Sequence, residues 1–276
     1  MLNKKVIVLS GFARGGTSIA WNVLQSHPDI VAARYETGAL FKKSRLLHLF
    51  NSSRSFGRSA IGFRVVDYLL FRSKMESLRN PDSHRAGTAI PSTRKQVKQA
   101  ALCLKSVNED VLLTDLLTSI YPDLYFIALA RNGYALADGY VRRGKTAGQA
   151  GRLYYRVSKE MKRYADLIPR FKMIRFEDIL RRPFDVAEDL FAFAEVHPRH
   201  LERLRLKSKR VIGNEGEHSV AFGTENRKYW FDRNSISQLL DPNVNQRQID
   251  RLSSAMIDEF NREAGSALEF FGYEKL

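Results

Sequence analysis

The chain has 276 residues, 44% hydrophobic and 27% charged, a balance that supports a full core and excludes disordered or fibrous classes. Its single cysteine, Cys103, excludes an intrachain disulfide and a cysteine-based zinc site, and reads as a small buried hydrophobe. The net charge of +15 calls for anionic partners, and most of the excess sits between Lys42 and Lys105, with 14 Lys/Arg against 3 Asp/Glu.

In chain order, Lys5 to Ser10 is β-branched and apolar throughout, the pattern of a buried parallel strand. Its apolar part is too short for a signal peptide. No run approaches the roughly 20 apolar residues of a bilayer span, so a cytoplasmic protein without a transmembrane segment is expected. A glycine-rich turn follows, then a helix from Thr17 to Gln25 with Ile19, Ala20, Val23 and Leu24 on one face. His27, Pro28 and Asp29 make a turn into a short strand, and residues 38 to 50 read as helical. The basic segment from about 42 to 100 is an excursion from the sheet, with a helix around 62 to 79 and a loop from Pro81 to Pro91. "ALCLKS" is a middle strand ending at Lys105, Val111 to Ile120 a helix, and "LYFIALAR" a buried strand ending at Arg131. A helix through Tyr140, another over 148 to 168, the strand "FKMIRFEDI" and a helix over 184 to 195 come next. After a polar stretch over 208 to 228, one long helix places Ile249, Leu252, Met256, Phe260, Ala264 and Leu268 at core spacing. Strand and helix alternation predicts an α/β fold. It is a single domain over 1–276, with a parallel sheet of about four to five strands between two helical layers.

The turn "GFARGGTS" has the outline of a phosphate loop, in which backbone N–H groups and a helix N-terminus converge on an anion. Gly11 and Gly16 take the two glycine positions of G-x-x-x-x-G-K-[ST], and Ser18 the hydroxyl position. Thr17 replaces the lysine that clamps a triphosphate, and no Asp ends the neighbouring strands to hold magnesium. The loop taken alone is equally a ligand-free strand-to-helix turn. An arginine that ends a buried strand, as Arg131 does, points to an anion nearby. Glu36 reads either as a carboxylate on the ligand-binding edge of the sheet or as a surface partner of Arg34. Glu177 and Asp178 read as a structural pair capping the helix that follows.

Three segments together resemble the sulfotransferase family. "SGFARGGTSIAWNVLQSHPDI" is similar to its 5′-phosphosulfate loop, "FIALARNGYALADGYVRR" to its 3′-phosphate segment, and "MIRFEDILRRP" to its E-D-L turn. "RYETGALF" and "LCLKS" look like the carbohydrate and protein-tyrosine branch. The resemblance implies a three-layer fold related to P-loop nucleotide-binding proteins. It also implies 3′-phosphoadenosine 5′-phosphosulfate as cosubstrate, no metal, and a hydroxyl-bearing glycan or glycolipid acceptor, with no nucleic acid. On this reading Arg14, Gly15, Gly16, Thr17 and Ser18 hold the 5′-phosphate. Glu36 is the base, Lys105 neutralises the sulfuryl group, and Arg131 binds the 3′-phosphate. The family's 3′-phosphate serine is Gly139 here, and its neighbour Asp138 is expected to point away from that phosphate. "NRKYW" resembles the family's late basic segment, so Arg227 or Lys228 would supply the lost contact, and Tyr229 or Trp230 would stack on adenine. The basic excursion would line the acceptor cleft and favour an anionic acceptor. The competing readings are an ATP-dependent small-molecule kinase and a non-catalytic binder of nucleic acid or acidic glycan.

Overall fold

All six residues of β1 (Val6–Gly11) are buried, and their side chains alternate between two apolar layers. Val6 and Val8 join Leu102, Leu104, Phe126 and Ala128 on one face; Ile7 and Leu9 join Cys103, Ile127 and Leu129 on the other. A strand buried on both faces belongs inside a parallel sheet covered by helices. The structure is a computed structural model. It describes residues 1–33, 35–43, 59–78, 93–196, 201–208, 210–212, 218–220 and 222–276.

After β1 come α1 (Thr17–Leu24), β2 (Ile30–Ala32), α2 (Thr37–Lys43), α3 (Ala60–Glu76), α4 (Arg94–Gln99) and β3 (Ala101–Val107). A 3-10 turn over Asn108–Leu113 leads to α5 (Thr114–Ile120), β4 (Tyr125–Ala130), α6 (Gly133–Val141), α7 (Ala147–Leu167), β5 (Phe171–Arg175), α8 (Phe176–Arg181) and α9 (Pro183–Phe193). The chain ends with β6 (Leu204–Lys207), β7 (Arg210–Ile212), β8 (His218–Val220), β9 (Lys228–Phe231), α10 (Val244–Ile249) and α11 (Ser254–Phe270).

The main sheet is parallel, in the order β2-β3-β1-β4-β5. α1, α8 and α9 cover one face through Ala20, Val23, Ile179 and Leu190. α5, α7 and α11 cover the other through Leu117, Tyr154, Met161, Phe260 and Leu268. The expected α/β architecture is therefore present. β1 and not β3 is central, and β3 runs beyond Lys105 to Val107. The helix after β1 and the one after β3 lie on opposite faces, which opens a crevice at the C-terminal ends of these two strands.

The excursion is pinned to this frame by two buried polar groups. Lys74 of α3 donates to the carbonyls of Lys98 (3.0 Å) and Ala100 (2.6 Å), where α4 meets β3. Asp67 accepts from the backbone N–H groups of Leu2 and Asn3 and from the Tyr121 hydroxyl (2.7 Å). The expected helix over 38–50 is seen from Thr37 to Lys43. Its remainder, the 81–91 loop and Arg34 lie outside the described residues.

The C-terminal part departs from expectation. The single long helix is two, because the Ser253 hydroxyl accepts from the Met256 N–H (3.3 Å) and starts α11 afresh. The polar stretch contains strands: β6 pairs antiparallel with β9, and β7 with β8. These strands are three or four residues long and carry basic residues, so period-2 apolar patterning does not reveal them.

Candidate active site

The loop from Phe12 to Gly16 turns the end of β1 into α1. The Gly15 N–H donates to the Phe12 carbonyl (2.9 Å), and Arg14 (φ 67°) and Gly16 (φ 86°) are left-handed. Gly16 has no substitute, because a Cβ there would lie 2.1 Å from the Phe176 ring. Gly16 caps α1 without a side-chain bond, and no acid lies in the first turn, so the N-terminus of α1 presents its N–H groups and positive dipole end to an anion. Asn108, also left-handed (φ 55°), holds the loop from β3: its Oδ1 accepts from the Ala13 N–H (2.8 Å) and the Tyr140 hydroxyl (3.3 Å).

On the β3 side, the Lys105 ammonium lies 2.7 Å from Glu36 Oε1 and donates to Ser18 Oγ (3.2 Å). It also sits 4.6 Å from the Trp21 ring centroid, a cation–π contact. The Lys105 side chain is 5% exposed and that of Glu36 46%, so a desolvated cation meets a carboxylate that solvent can reach. Glu36 opens α2, where its carbonyl accepts from the Leu40 N–H (2.9 Å). The Thr37 hydroxyl donates to the Lys105 carbonyl (3.0 Å), and the Gly38 N–H donates to Asp110 Oδ2 (3.0 Å). Burial raises the Asp110 pKa, the Gly38 N–H opposes this, and the charge of Glu36 adds to the rise.

On the β4 side, Arg131 follows the strand and is buried. Its Nε and Nη2 donate to Asn245 Oδ1 (2.9 and 2.6 Å), Nη2 also to Gln248 Oε1, and Nη1 to the Arg14 carbonyl. The guanidinium lies 4.6 Å from the Phe176 ring. Burial lowers its pKa to about 10, so it stays charged at neutral pH. Glu177 binds this side together: Oε1 accepts from the Asn132 N–H (3.0 Å) and from Asn245 Nδ2, and Oε2 accepts from the Tyr273 hydroxyl (2.7 Å). The expected cap from Glu177 and Asp178 on the helix that follows is not seen: α9 has no side-chain cap, and neither has α8. Partial burial, followed by the charges of Arg143 and Arg142, lowers the Arg14 pKa, which marks a concentration of positive charge around the loop.

The structure thus brings Arg14, Gly15, Gly16, Ser18, Glu36, Lys105 and Arg131 to one edge of the sheet. Thr17 is buried, its methyl against Gly11. A Cβ on Gly139 would sit 3.5 Å from Arg14 Cβ, so this position borders the loop arginine.

Residues 6–199 match the family model described as "Sulfotransferase family". The chain belongs to the sulfotransferase family. Two solved structures share the fold over nearly full length. The sulfotransferase domain of the Synechococcus PCC 7002 olefin synthase is 16% identical, with a TM-score of 0.57 over 99% of this chain and 97% of that one. The sulfotransferase domain from the curacin biosynthetic pathway is 14% identical, with a TM-score of 0.53 over 99% of this chain and 100% of that one. No curated protein matches the sequence. This sulfotransferase therefore belongs to an enzyme class acting on hydroxyl-bearing acceptors.

The sulfotransferase's late basic segment does not reach the loop through Lys228. That side chain is buried and donates to Gln25 Oε1 (3.2 Å) at the C-terminal end of α1, about 12 Å along the helix from the loop. Arg227 is exposed, with its guanidinium 5.9 Å from the Tyr229 ring. The Tyr229 hydroxyl accepts from the Thr224 N–H (2.9 Å), its ring packs edge-on against Phe222, and Trp230 pairs with Arg205 across β6 and β9. Asp138 is buried and bonded to Arg251. Among the described residues no cluster of His, Cys, Asp and Glu forms a metal site, and no helix is long and apolar enough to cross a membrane. Sequence reading missed Asn108, Asn245, Gln248 and Arg251. Each acts across a separation of more than 90 residues, and none stands in a motif.

Proposed function

We propose that this sulfotransferase takes 3′-phosphoadenosine 5′-phosphosulfate as donor and sulfates a hydroxyl of an anionic glycan or glycolipid, with Glu36 as base. The observation that carries this reading is the position of Lys105 Nζ, 2.7 Å from Glu36 and 3.2 Å from Ser18 Oγ at the open N-terminus of α1. Base, cation and anion cradle stand within one side chain's reach of each other. The chain's residues fit the donor: the Gly15–Gly16 cradle, Arg14, Ser18 and Lys105 suit a 5′-phosphosulfate.

In the reaction the S–O bond to the phosphate breaks as the acceptor oxygen forms a new S–O bond. Glu36 takes the acceptor's proton, and being half exposed it can meet an incoming hydroxyl. Lys105 and the α1 N-terminus stabilise the negative charge gathering on the departing phosphate oxygen. Arg14, on the same loop, would add a further cation toward that phosphate. A buried ammonium in low dielectric acts more strongly than one in water, and Lys105 has that burial.

The exposed cations of the excursion, Lys42, Arg64, Arg72, Arg94, Lys95 and Lys98, support the choice of an anionic acceptor. Transfer of labelled sulfuryl to a panel of acidic and neutral glycans, with and without chelator, tests the reading. Acidic acceptors are expected to turn over faster, with an advantage that shrinks in high salt, and chelator is expected to have no effect. Equal rates on neutral acceptors contradict the acceptor class. Glu36→Gln is expected to keep nucleotide binding and lose roughly 10²–10⁴-fold in turnover; unchanged turnover removes Glu36 as base.

A further inference from the structure

Glu36 stands at the cap position of α2, since its carbonyl accepts from the Leu40 N–H (2.9 Å). A side-chain oxygen at that position commonly turns back to accept from an unpaired N–H of the first turn. The Glu36 carboxylate points elsewhere, 2.7 Å from Lys105 Nζ. The capping bond is supplied from a distance: the Gly38 N–H donates to Asp110 Oδ2 (3.0 Å), across 72 residues of chain. The fit is close. A Cβ on Gly38 would lie 2.1 and 2.4 Å from the two Asp110 carboxylate oxygens, so any larger residue displaces the carboxylate. Asp110 also accepts from the Val107 backbone N–H. Burial raises its pKa and the charge of Glu36 adds to the rise, so the two carboxylates are near enough to repel. The same first turn is tied to β3 by Thr37, whose hydroxyl accepts from the Ser106 hydroxyl (3.0 Å) and donates to the Lys105 carbonyl (3.0 Å). Behind it, Phe41 of α2 and Val111 of the 3-10 turn share one apolar layer.

We propose that Asp110 is a positioning residue that caps α2 in place of Glu36, freeing the Glu36 carboxylate for Lys105 and for the acceptor's proton; the role rests on Glu36 being the base. Asp110 acts in two ways. It occupies the Gly38 N–H that would otherwise draw the Glu36 carboxylate back onto its own helix, and its like charge disfavours that return. Two residues earlier on the same turn, Asn108 accepts from the Ala13 N–H of the phosphate loop. One turn after β3 therefore sets both the anion cradle and the base.

The test is transfer of labelled sulfuryl from 3′-phosphoadenosine 5′-phosphosulfate to the fastest acceptor of the glycan panel, alongside calorimetry with adenosine 3′,5′-bisphosphate. Asp110→Ala is expected to slow turnover roughly ten- to hundred-fold, as misplacement of a reacting group does, and to leave bisphosphate affinity within about two-fold. Asp110→Asn keeps an oxygen for the Gly38 N–H and is expected to retain turnover within about three-fold. In a Glu36→Gln background Asp110→Ala is expected to add less than about two-fold, because no base is left to position. Gly38→Ala, which displaces the carboxylate, is expected to repeat the loss and serves as the second arm if Asp110→Ala does not fold. Full turnover in the folded variants, Asp110→Asn as slow as Asp110→Ala, or an equal loss in the Glu36→Gln background overturns the role of Asp110 and leaves Glu36 standing as base. Unchanged turnover in Glu36→Gln, or a panel with no acceptor, overturns both.

Discussion

At the scale of single residues, the site is a set of cations whose burial and partners differ. Lys105 is desolvated and paired with one carboxylate, Arg131 is buried and almost saturated by neutral oxygens, and Arg14, only partly buried, lies on the loop. Gly139 makes this arrangement testable, because a Cβ there meets only Arg14 side-chain atoms at 3.5 and 3.7 Å, ordinary contact distances. Gly139→Ser is therefore expected to fold normally and to bind adenosine 3′,5′-bisphosphate a few-fold more tightly; weaker binding by calorimetry contradicts this. Gly16→Ala has the opposite outlook. Its Cβ would collide with the Phe176 ring, and φ 86° is unfavourable for alanine, so a loss of about 2 kcal/mol or more in denaturant unfolding is expected. The approach of Arg14, Glu36, Lys105 and Arg131 to one edge of the sheet was legible in the sequence because each lies in or beside one of the segments that resemble the family, although Lys105 stands inside β3 and not at its end. The ion pair of Arg251 with Asp138 was not, because its partners lie 113 residues apart and nothing local marks them.

At the scale of elements, the sheet was legible and the last third of the chain was not. Buried parallel strands such as β1 and β4 are continuous apolar runs, and the amphipathic α7 starts with a capping box from Thr146 and Gln149. α10 has no such mark: "VNQRQI" is polar, and its use is to send Asn245 and Gln248 to Arg131. Reading Ile249 and Leu252 as part of one apolar stripe concealed the break that lets it do so. The excursion is attached partly through Lys74, whose burial lowers its pKa from 10.5 to about 8 while Asp67 opposes the shift. Between these values the unfolded chain binds one more proton than the folded chain, so this group makes stability rise with pH from about 8 to 10.5. Urea unfolding across that range is expected to show the rise in the unsubstituted chain and a flatter profile in Lys74→Met. Equal slopes would mean that Lys74 is not held desolvated.

At the scale of the whole molecule, the three sequence segments that suggested the family converge on one edge of the sheet. Phe176, from the third segment, packs against Gly16 of the first and under Arg131 of the second. Glu177 then ties the second segment to α10 and to Tyr273 near the C-terminus. Glu177→Ala is expected to weaken nucleotide binding and lower the thermal midpoint together, since it strands three donors at once; a change in only one of the two contradicts its place as a shared anchor. The sequence motifs pointed to the family but not to this coupling, because hydrogen bonds between distant segments leave no local pattern. A loop with Thr17 in place of the lysine, beside Lys105 and Arg131, is expected to hold an adenosine bisphosphate and not a triphosphate. Calorimetric titration with adenosine 3′,5′-bisphosphate and with ATP, each with and without magnesium, tests it directly. Tight binding of the bisphosphate, indifferent to magnesium, with ATP much weaker, is the predicted result; magnesium-dependent ATP binding with no response to the bisphosphate would contradict it.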